Sequence, residues 1–230
     1  MQIEVMDFVE GARKARGVAV VIDVFRAFSV ACYAYARGAK RIIPVAEIDK
    51  ALSLKRDHPE YLAIGERGGR KVEGFDFGNS PTEISQTDVR GKTLVQTTSA
   101  GTQGLTNADQ ADVVLTGSLV NAAAICAYIE SLKPERVSIV RMGLAAKERC
   151  AEDDLCAEVL RGRLSGNGYD VSGIRDVLRT APAARKFFDP QATWAPEGDF
   201  ELCTDVDRFG FVLRLSNGTQ GSPYLEKINL

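Results

Sequence analysis

Residues Gly17–Arg26 read GVAVVIDVFR, and Val18 to Ile22 form an unbroken apolar run. Such a run fits a strand buried on both faces, as in a parallel sheet with helices above and below. The run stops at Asp23, and Arg26 follows shortly after. From Ala27 the chain is rich in alanine, with Phe28, Val30, Ala31, Ala34 and Tyr35 at helical spacing. A buried strand therefore delivers one acid and one base to its C-terminal end, at the mouth of a helix. In open α/β sheets that edge binds ligands. A helix N-terminus beside an arginine favours an anion. The same residues also fit a local role, with Asp23 capping the helix and Arg26 pairing with it.

Outward from this stretch the alternation continues. Ala27–Arg37 reads as a helix closed by Gly38. Lys40–Val45 reads as a short strand, Glu47–Arg56 as a helix and Tyr61–Ile64 as a strand. Lys92–Gln96, Asp112–Thr116 and Val137–Met142 are further expected strands, with helices near Asn121–Ser131 and over Glu148–Arg163. This alternation predicts an α/β fold with a largely parallel sheet covered on both faces. It puts Asp23, Thr97–Thr102, Gly117-Ser118 and Gly143 at equivalent strand ends. In the last third, Ile174–Thr180 and Ala183–Phe188 look helical, and Ala192–Asp199 is a loop carrying Trp194. Leu202–Asp205 and Phe209–Leu215 read as two antiparallel edge strands around an Asp205–Arg208 turn. No repeat, linker or charge run marks a boundary, so one domain over residues 1–230 is expected.

Composition narrows the function. The 230 residues are 45% hydrophobic, with 29 basic and 31 acidic side chains and a net charge of −2. That balance offers no basic surface for nucleic acid. No apolar run approaches the ~18 residues of a membrane span. The N-terminus mixes acids and bases without an apolar core, unlike a signal peptide. The five cysteines include no C-x-x-C pair, which points to reduced thiols and a cytoplasmic protein. His58 is the only histidine and sits in a polar turn. Ser-His-Asp chemistry and histidine-rich zinc sites are thereby set aside.

Three stretches carry chemistry. Gly65–Pro81, GERGGRKVEGFDFGNSP, holds five glycines among acids and bases. It reads as a structured functional loop with a small hairpin across Gly68-Gly69. Its Phe75 and Phe77 offer apolar surface for a homodimer. Thr97–Thr102, TTSAGT, follows a strand directly. It can wrap a phosphate with hydroxyl and N–H donors, or simply cap a helix. Glu152-Asp153-Asp154 opens the helix of Glu148–Arg163. Acids there suit the helix dipole, while three in a row also suit a hard divalent cation.

Together VVIDVFRA (Val20–Ala27), GER (Gly65–Arg67), GFDFGNSP (Gly74–Pro81), TSAGT (Thr98–Thr102), GSLVNA (Gly117–Ala122) and EDDLCA (Glu152–Ala157) resemble the 2-phosphosulfolactate phosphatase (ComB-like) family. The resemblance runs in order from about Val18 to Arg163, and CTDVDRF near the end also looks like the family. It implies a three-layer α/β/α fold, a magnesium requirement and hydrolysis of a phosphate ester on a small sulfonated hydroxy acid. On that implication Asp23, Glu66, Asp153 and Asp154 are candidate Mg²⁺ ligands, and Asp23, Arg26 and Asp154 candidate catalytic residues. Arg67, Asn79, Thr97, Thr98, Ser99, Gly101, Thr102, Ser118 and Asn121 are candidates for substrate binding. With no histidine nearby, a carboxylate must serve as general base or as nucleophile. Many members carry Arg-Ala-Ser/Thr-Thr where this chain has Arg26-Ala27-Phe28-Ser29. Many also carry Thr-Thr-Asn-Gly-Thr where it has Thr98-Ser99-Ala100-Gly101-Thr102. Rival readings are a phosphatase for another phosphorylated hydroxy acid and a non-catalytic binder of phosphometabolites.

Overall fold

The computed structural model describes residues 1–218 and 223–230. The described strands are β1 (Gln2–Asp7), β2 (Val18–Ile22), β3 (Arg41–Pro44), β4 (Leu62–Arg67), β5 (Arg70–Lys71), β6 (Thr93–Thr97), β7 (Val113–Gly117), β8 (Arg136–Arg141), β9 (Phe211–Asn217) and β10 (Pro223–Asn229). The helices are α1 (Phe8–Lys14), α2 (Ala27–Ala36), α3 (Ile48–Asp57), α4 (Pro81–Ser85), α5 (Gly101–Asn107), α6 (Ala122–Leu132), α7 (Ala151–Leu164), α8 (Ile174–Arg179) and α9 (Glu197–Cys203). Short 3₁₀ turns cover Leu119–Asn121 and Pro182–Phe187.

The apolar run forms β2, and all of its residues are buried. Alternate side chains leave opposite faces of a strand. Ala19 and Val21 therefore join one core cluster, while Val18, Val20 and Ile22 join another with α6 and α7. The strands form one sheet in the order β1-β8-β2-β7-β9-β10-β3-β6-β4-β5. It holds two parallel blocks, β1-β8-β2-β7 and β3-β6-β4. Between them runs the antiparallel pair β9-β10. Helices cover both faces, giving a three-layer α/β/α sandwich.

The centre of the molecule is α2. It is apolar all round, and Ala27 through Tyr35 are buried, as such a helix must be. Both parallel blocks turn a face towards it: Ala19 and Val21 from β2, and Ile42, Leu94 and Ile64 from β3, β6 and β4. The opposite face of the second block, with Ile43, Val95 and Ala63, packs under α3. Phe28 on α2 is among the largest fully buried side chains.

A buried ion pair fastens the C-terminal third to this centre. Arg26 Nη1 lies 2.6 Å from Asp199 Oδ2, with both side chains almost wholly buried. The other oxygen, Oδ1, accepts from Ser80 Oγ at 2.6 Å and Thr82 N at 3.0 Å. One carboxylate on α9 thus ties the start of α2 to the start of α4.

Several sequence expectations change. The pair at Phe209–Leu215 is not at an edge: β9 and β10 sit mid-sheet. Leu202–Asp205 is no strand, because Leu202 and Cys203 end α9. Asp207 instead accepts from Arg163 and from Ala123 N of α6. The strand expected over Tyr61–Ile64 extends to Arg67, so Glu66 and Arg67 lie on a strand and pair with β5 across Gly68-Gly69. Phe75 is buried and Phe77 partly so, which puts the apolar surface expected there inside the protomer. His58 is exposed and stacks on Tyr61. Among the described residues no helix is long and apolar enough to cross a membrane.

Replacing Phe28 by alanine is expected to cost about 3–5 kcal/mol, seen as a lower urea midpoint at unchanged m. Replacing Asp199 by alanine leaves the Arg26 guanidinium buried without its counter-charge, at a cost of about 3–5 kcal/mol. Asp199→Asn, which keeps an acceptor for Ser80, is expected to lose less. Equal midpoints for wild type and Asp199→Ala would show that the pair fastens nothing.

Candidate active site

Asp23 ends β2 at the N-terminus of α2. Its Oδ1 accepts from Ala27 N at 3.1 Å and its Oδ2 from Gly101 N at 2.8 Å. Only glycine allows the second contact as built, since a Cβ at 101 would stand 2.8 Å from Asp23 Oδ2. Glu66 on β4 is held in the same way. Its Oε1 accepts from Ser99 N at 2.7 Å, and its Oε2 from Gly69 N at 2.7 Å and Ser99 Oγ at 3.2 Å. Asp153 on α7 accepts from Val24 N at 2.9 Å and Gly143 N at 2.8 Å. The ends of β2, β4, β6 and β8 are thereby joined.

Asp23 and Glu66 stand on the wall of a cavity of about 140 Å³. Asp23, Arg26, Glu66, Asn79 and Ser99 line it, as do Glu152, Lys186 and Trp194. Burial, reinforced by the Glu66 charge, pushes Asp23 up to about 6, against the opposing pull of its two N–H donors and Lys186. Burial likewise raises Glu152. It raises Asp153 further, with the charges of Asp23 and Glu152 adding to it. Burial and the neighbouring Arg26 hold Lys186 below the usual lysine range, partly offset by Glu152 and Asp23.

Other candidates stand elsewhere. Asp154 faces away, with Arg141 at 3.0 Å and Arg149 at 2.8 Å. Arg67 is tied to the carbonyls of Glu66 and Ala46 and to Thr97 Oγ1. Thr98 and Thr102 bond each other, and Thr98 N donates to Thr102 Oγ1. Gly101 contributes its N–H to Asp23 rather than to open space. Ser118 Oγ meets Ser29 Oγ at 2.7 Å in the interior. Asn121 is buried against the Phe211 carbonyl. The Thr97–Thr102 loop is an anion cradle, and the anions it holds are the protein's own carboxylates.

Sequence reasoning passed over Glu152, Lys186, Trp194 and Asp199. The signal for Glu152 was present. Helical residues step by 100°, so three consecutive acids cannot face one way. Glu152 takes the cavity, Asp153 the interior and Asp154 the outside. Glu152 Oε2 is buried and has no hydrogen-bond partner among the described residues. Lys186 lies on the Pro182–Phe187 turn, over the rings of Phe187 at 5.1 Å and Phe25 at 5.9 Å. Trp194 sits against Gly69, where a Cβ would approach its ring to 2.4 Å.

The donor set suits a hard cation: every acid on the wall is a carboxylate. Among the described residues no three acidic, thiol or imidazole groups lie close enough to hold a metal ion by themselves. A site of one or two carboxylates completed by water and substrate phosphate needs no such cluster.

A family profile described as 2-phosphosulpholactate phosphatase matches residues 5–218. A probable 2-phosphosulfolactate phosphatase of Caldanaerobacter subterraneus is 33% identical over 218 residues, 86% of this chain and 88% of its own. One from Clostridium perfringens strain 13 is 35% identical over 95% of both chains. One from Bacillus subtilis strain 168 is 30% identical over 91% of both. The chain belongs to the 2-phosphosulpholactate phosphatase family, whose members are phosphoric monoester hydrolases.

Proposed function

We propose that this phosphatase hydrolyses 2-phosphosulfolactate to sulfolactate and inorganic phosphate with Mg²⁺ as cofactor. The cavity carries the reading: Asp23, Glu66 and Glu152 share its wall with Arg26 and Lys186. A multiply anionic substrate is repelled by carboxylates unless a cation stands between. Asp23 and Glu66 would hold that cation, since both are buried and the Glu66 charge already raises Asp23. When bound, Mg²⁺ supplies charge neutralisation at the phosphoryl oxygens and orients the attacking water.

The chain's own residues supply the rest. Arg26 is held rigid by Asp199, the Trp194 carbonyl and the Gly69 carbonyl. Its Nε–H and one Nη2–H have no partner among the described residues and suit phosphoryl oxygens. Glu152 lines the cavity, and its carboxylate would take a proton from the attacking water. As the water oxygen bonds to phosphorus, the ester P–O bond breaks. Its electron pair leaves with the sulfolactate oxygen, which takes a proton from solvent. Asp23 is not assigned as nucleophile, because on this reading its carboxylate would hold the cation.

Phosphate release from racemic phosphosulfolactate is expected with Mg²⁺ and lost with EDTA. Glu152→Gln should lower kcat by about 10²–10⁴-fold, the usual worth of a general base. Asp154→Asn, on the outer face, should stay within a few-fold of wild type. Turnover that survives EDTA, or that falls more in Asp154→Asn than in Glu152→Gln, would overturn these assignments.

A further inference from the structure

We infer that Lys186 binds the substrate's non-reacting acid group, its sulfonate or carboxylate, and so makes the cavity selective for acidic phosphoesters. The inference rests on the phosphatase reading above. Two cationic side chains line the cavity, Arg26 and Lys186. Arg26 is neutralised by Asp199 at 2.6 Å. Among the described residues Lys186 has no hydrogen-bond or ion-pair partner; what holds it is the pair of rings beneath, Phe187 and Phe25. An ammonium over aromatic faces is attracted without losing its charge or its N–H donors. Asp23 and Glu152 act on it only through space, so this half-buried lysine has lost hydration and gained no direct counter-ion. A bound acid group would supply one.

Position assigns which acid. Asp23, Glu66 and Arg26 gather at strand ends and the start of α2, the side proposed for the phosphoryl group. Lys186 stands on the Pro182–Phe187 turn, on an element of its own beside Ala183. With the phosphoryl group held by the strand-end side, the remaining acid falls to Lys186. A phosphoester of a neutral alcohol would leave this half-buried ammonium without a direct partner, and a desolvated group left unpaired is how a site rejects the wrong ligand.

The test is calorimetric titration of wild type, Lys186→Met and Lys186→Arg, each with Mg²⁺, using sulfolactate and inorganic phosphate as separate ligands. Lys186→Met should weaken sulfolactate by about tenfold or more, the loss of one charge-assisted hydrogen bond. Inorganic phosphate should bind it within about twofold of wild type, which also reports an intact fold. Lys186→Arg, which keeps the charge, should recover most of the sulfolactate affinity. Equal losses for both ligands, unchanged sulfolactate affinity, or a wild type that binds no sulfolactate would each overturn the assignment. Phosphate release is scored separately: a wild type that binds in this pattern but releases no phosphate would sink the reaction and leave Lys186 in its role.

Discussion

An ionised carboxylate is costly to remove from water unless it is met by donors or by opposite charge. This fold buries Asp23, Glu66 and Glu152 on the wall of one small cavity and Asp153 in the interior behind it. Three of them are met by backbone N–H groups, and each draws those donors from a different part of the chain. Asp23 joins the end of β2 to α5, Glu66 joins β4 to the segment after β6, and Asp153 joins α7 to the ends of β2 and β8. These acids are therefore fastenings that assemble the site, and on the proposed reading Asp23 and Glu66 are part of its chemistry as well. The donors do not fully offset burial, because Asp23 and Asp153 are raised even with their N–H partners in place. On the proposed reading, a cation beside Asp23 would offset what remains of that cost.

The parts of this arrangement that follow local rules were legible in the sequence. An apolar run of strand length, an alanine-rich helix and a hydroxyl-rich turn each carry their signature within a few residues, and β2, α2 and the Thr97–Thr102 turn lie where those signatures put them. The parts that depend on distant pairing were not. Arg214 and Ser216 alternate with apolar residues in β9, as in a half-exposed edge strand. The strand sits mid-sheet because β7 and β10 flank it, and no local pattern reports that. Hydroxyls in Thr97, Thr98 and Thr102 look free in a sequence; their partners are carbonyls, backbone N–H groups, the Arg67 guanidinium and one another. Lys186 and Asp199 belong to short elements, a 3₁₀ turn and a seven-residue helix, in which neither periodicity nor a motif marks a charge that faces inward.

The two departures from common family patterns fall on opposite sides of the cavity wall. Phe28 replaces a hydroxyl near the start of α2, yet its ring is wholly buried in the central cluster. It meets the loop from beneath: a Cβ at Gly101 would touch both its ring and Asp23 Oδ2. The change is one of packing, and it bears on how firmly the N–H of residue 101 is presented to Asp23. Ser99 and Ala100 do line the cavity. Ser99 retains a hydroxyl, given to Glu66, whereas Ala100 offers no side-chain donor at all. Of the two departures, only this one alters what a ligand meets.

That asymmetry extends to the whole cavity. The sheet and its helices contribute acids fixed by backbone donors, and these can shift little without pulling strand ends apart. The C-terminal third contributes Lys186, Trp194 and, through Asp199, the orientation of Arg26. Although β9 and β10 of this third lie mid-sheet, the stretch from Lys186 to Asp199 meets the cavity through an ion pair, a tryptophan seated on Gly69 and aromatic edges such as Phe25 against Phe187 at 5.0 Å. Side-chain contacts of this kind can be exchanged without rebuilding a sheet. The division follows from the physics of each half: acids that must stay buried need a rigid frame of N–H groups. A cation that discriminates among ligands can stand on a short turn, provided something apolar holds it in place without neutralising it.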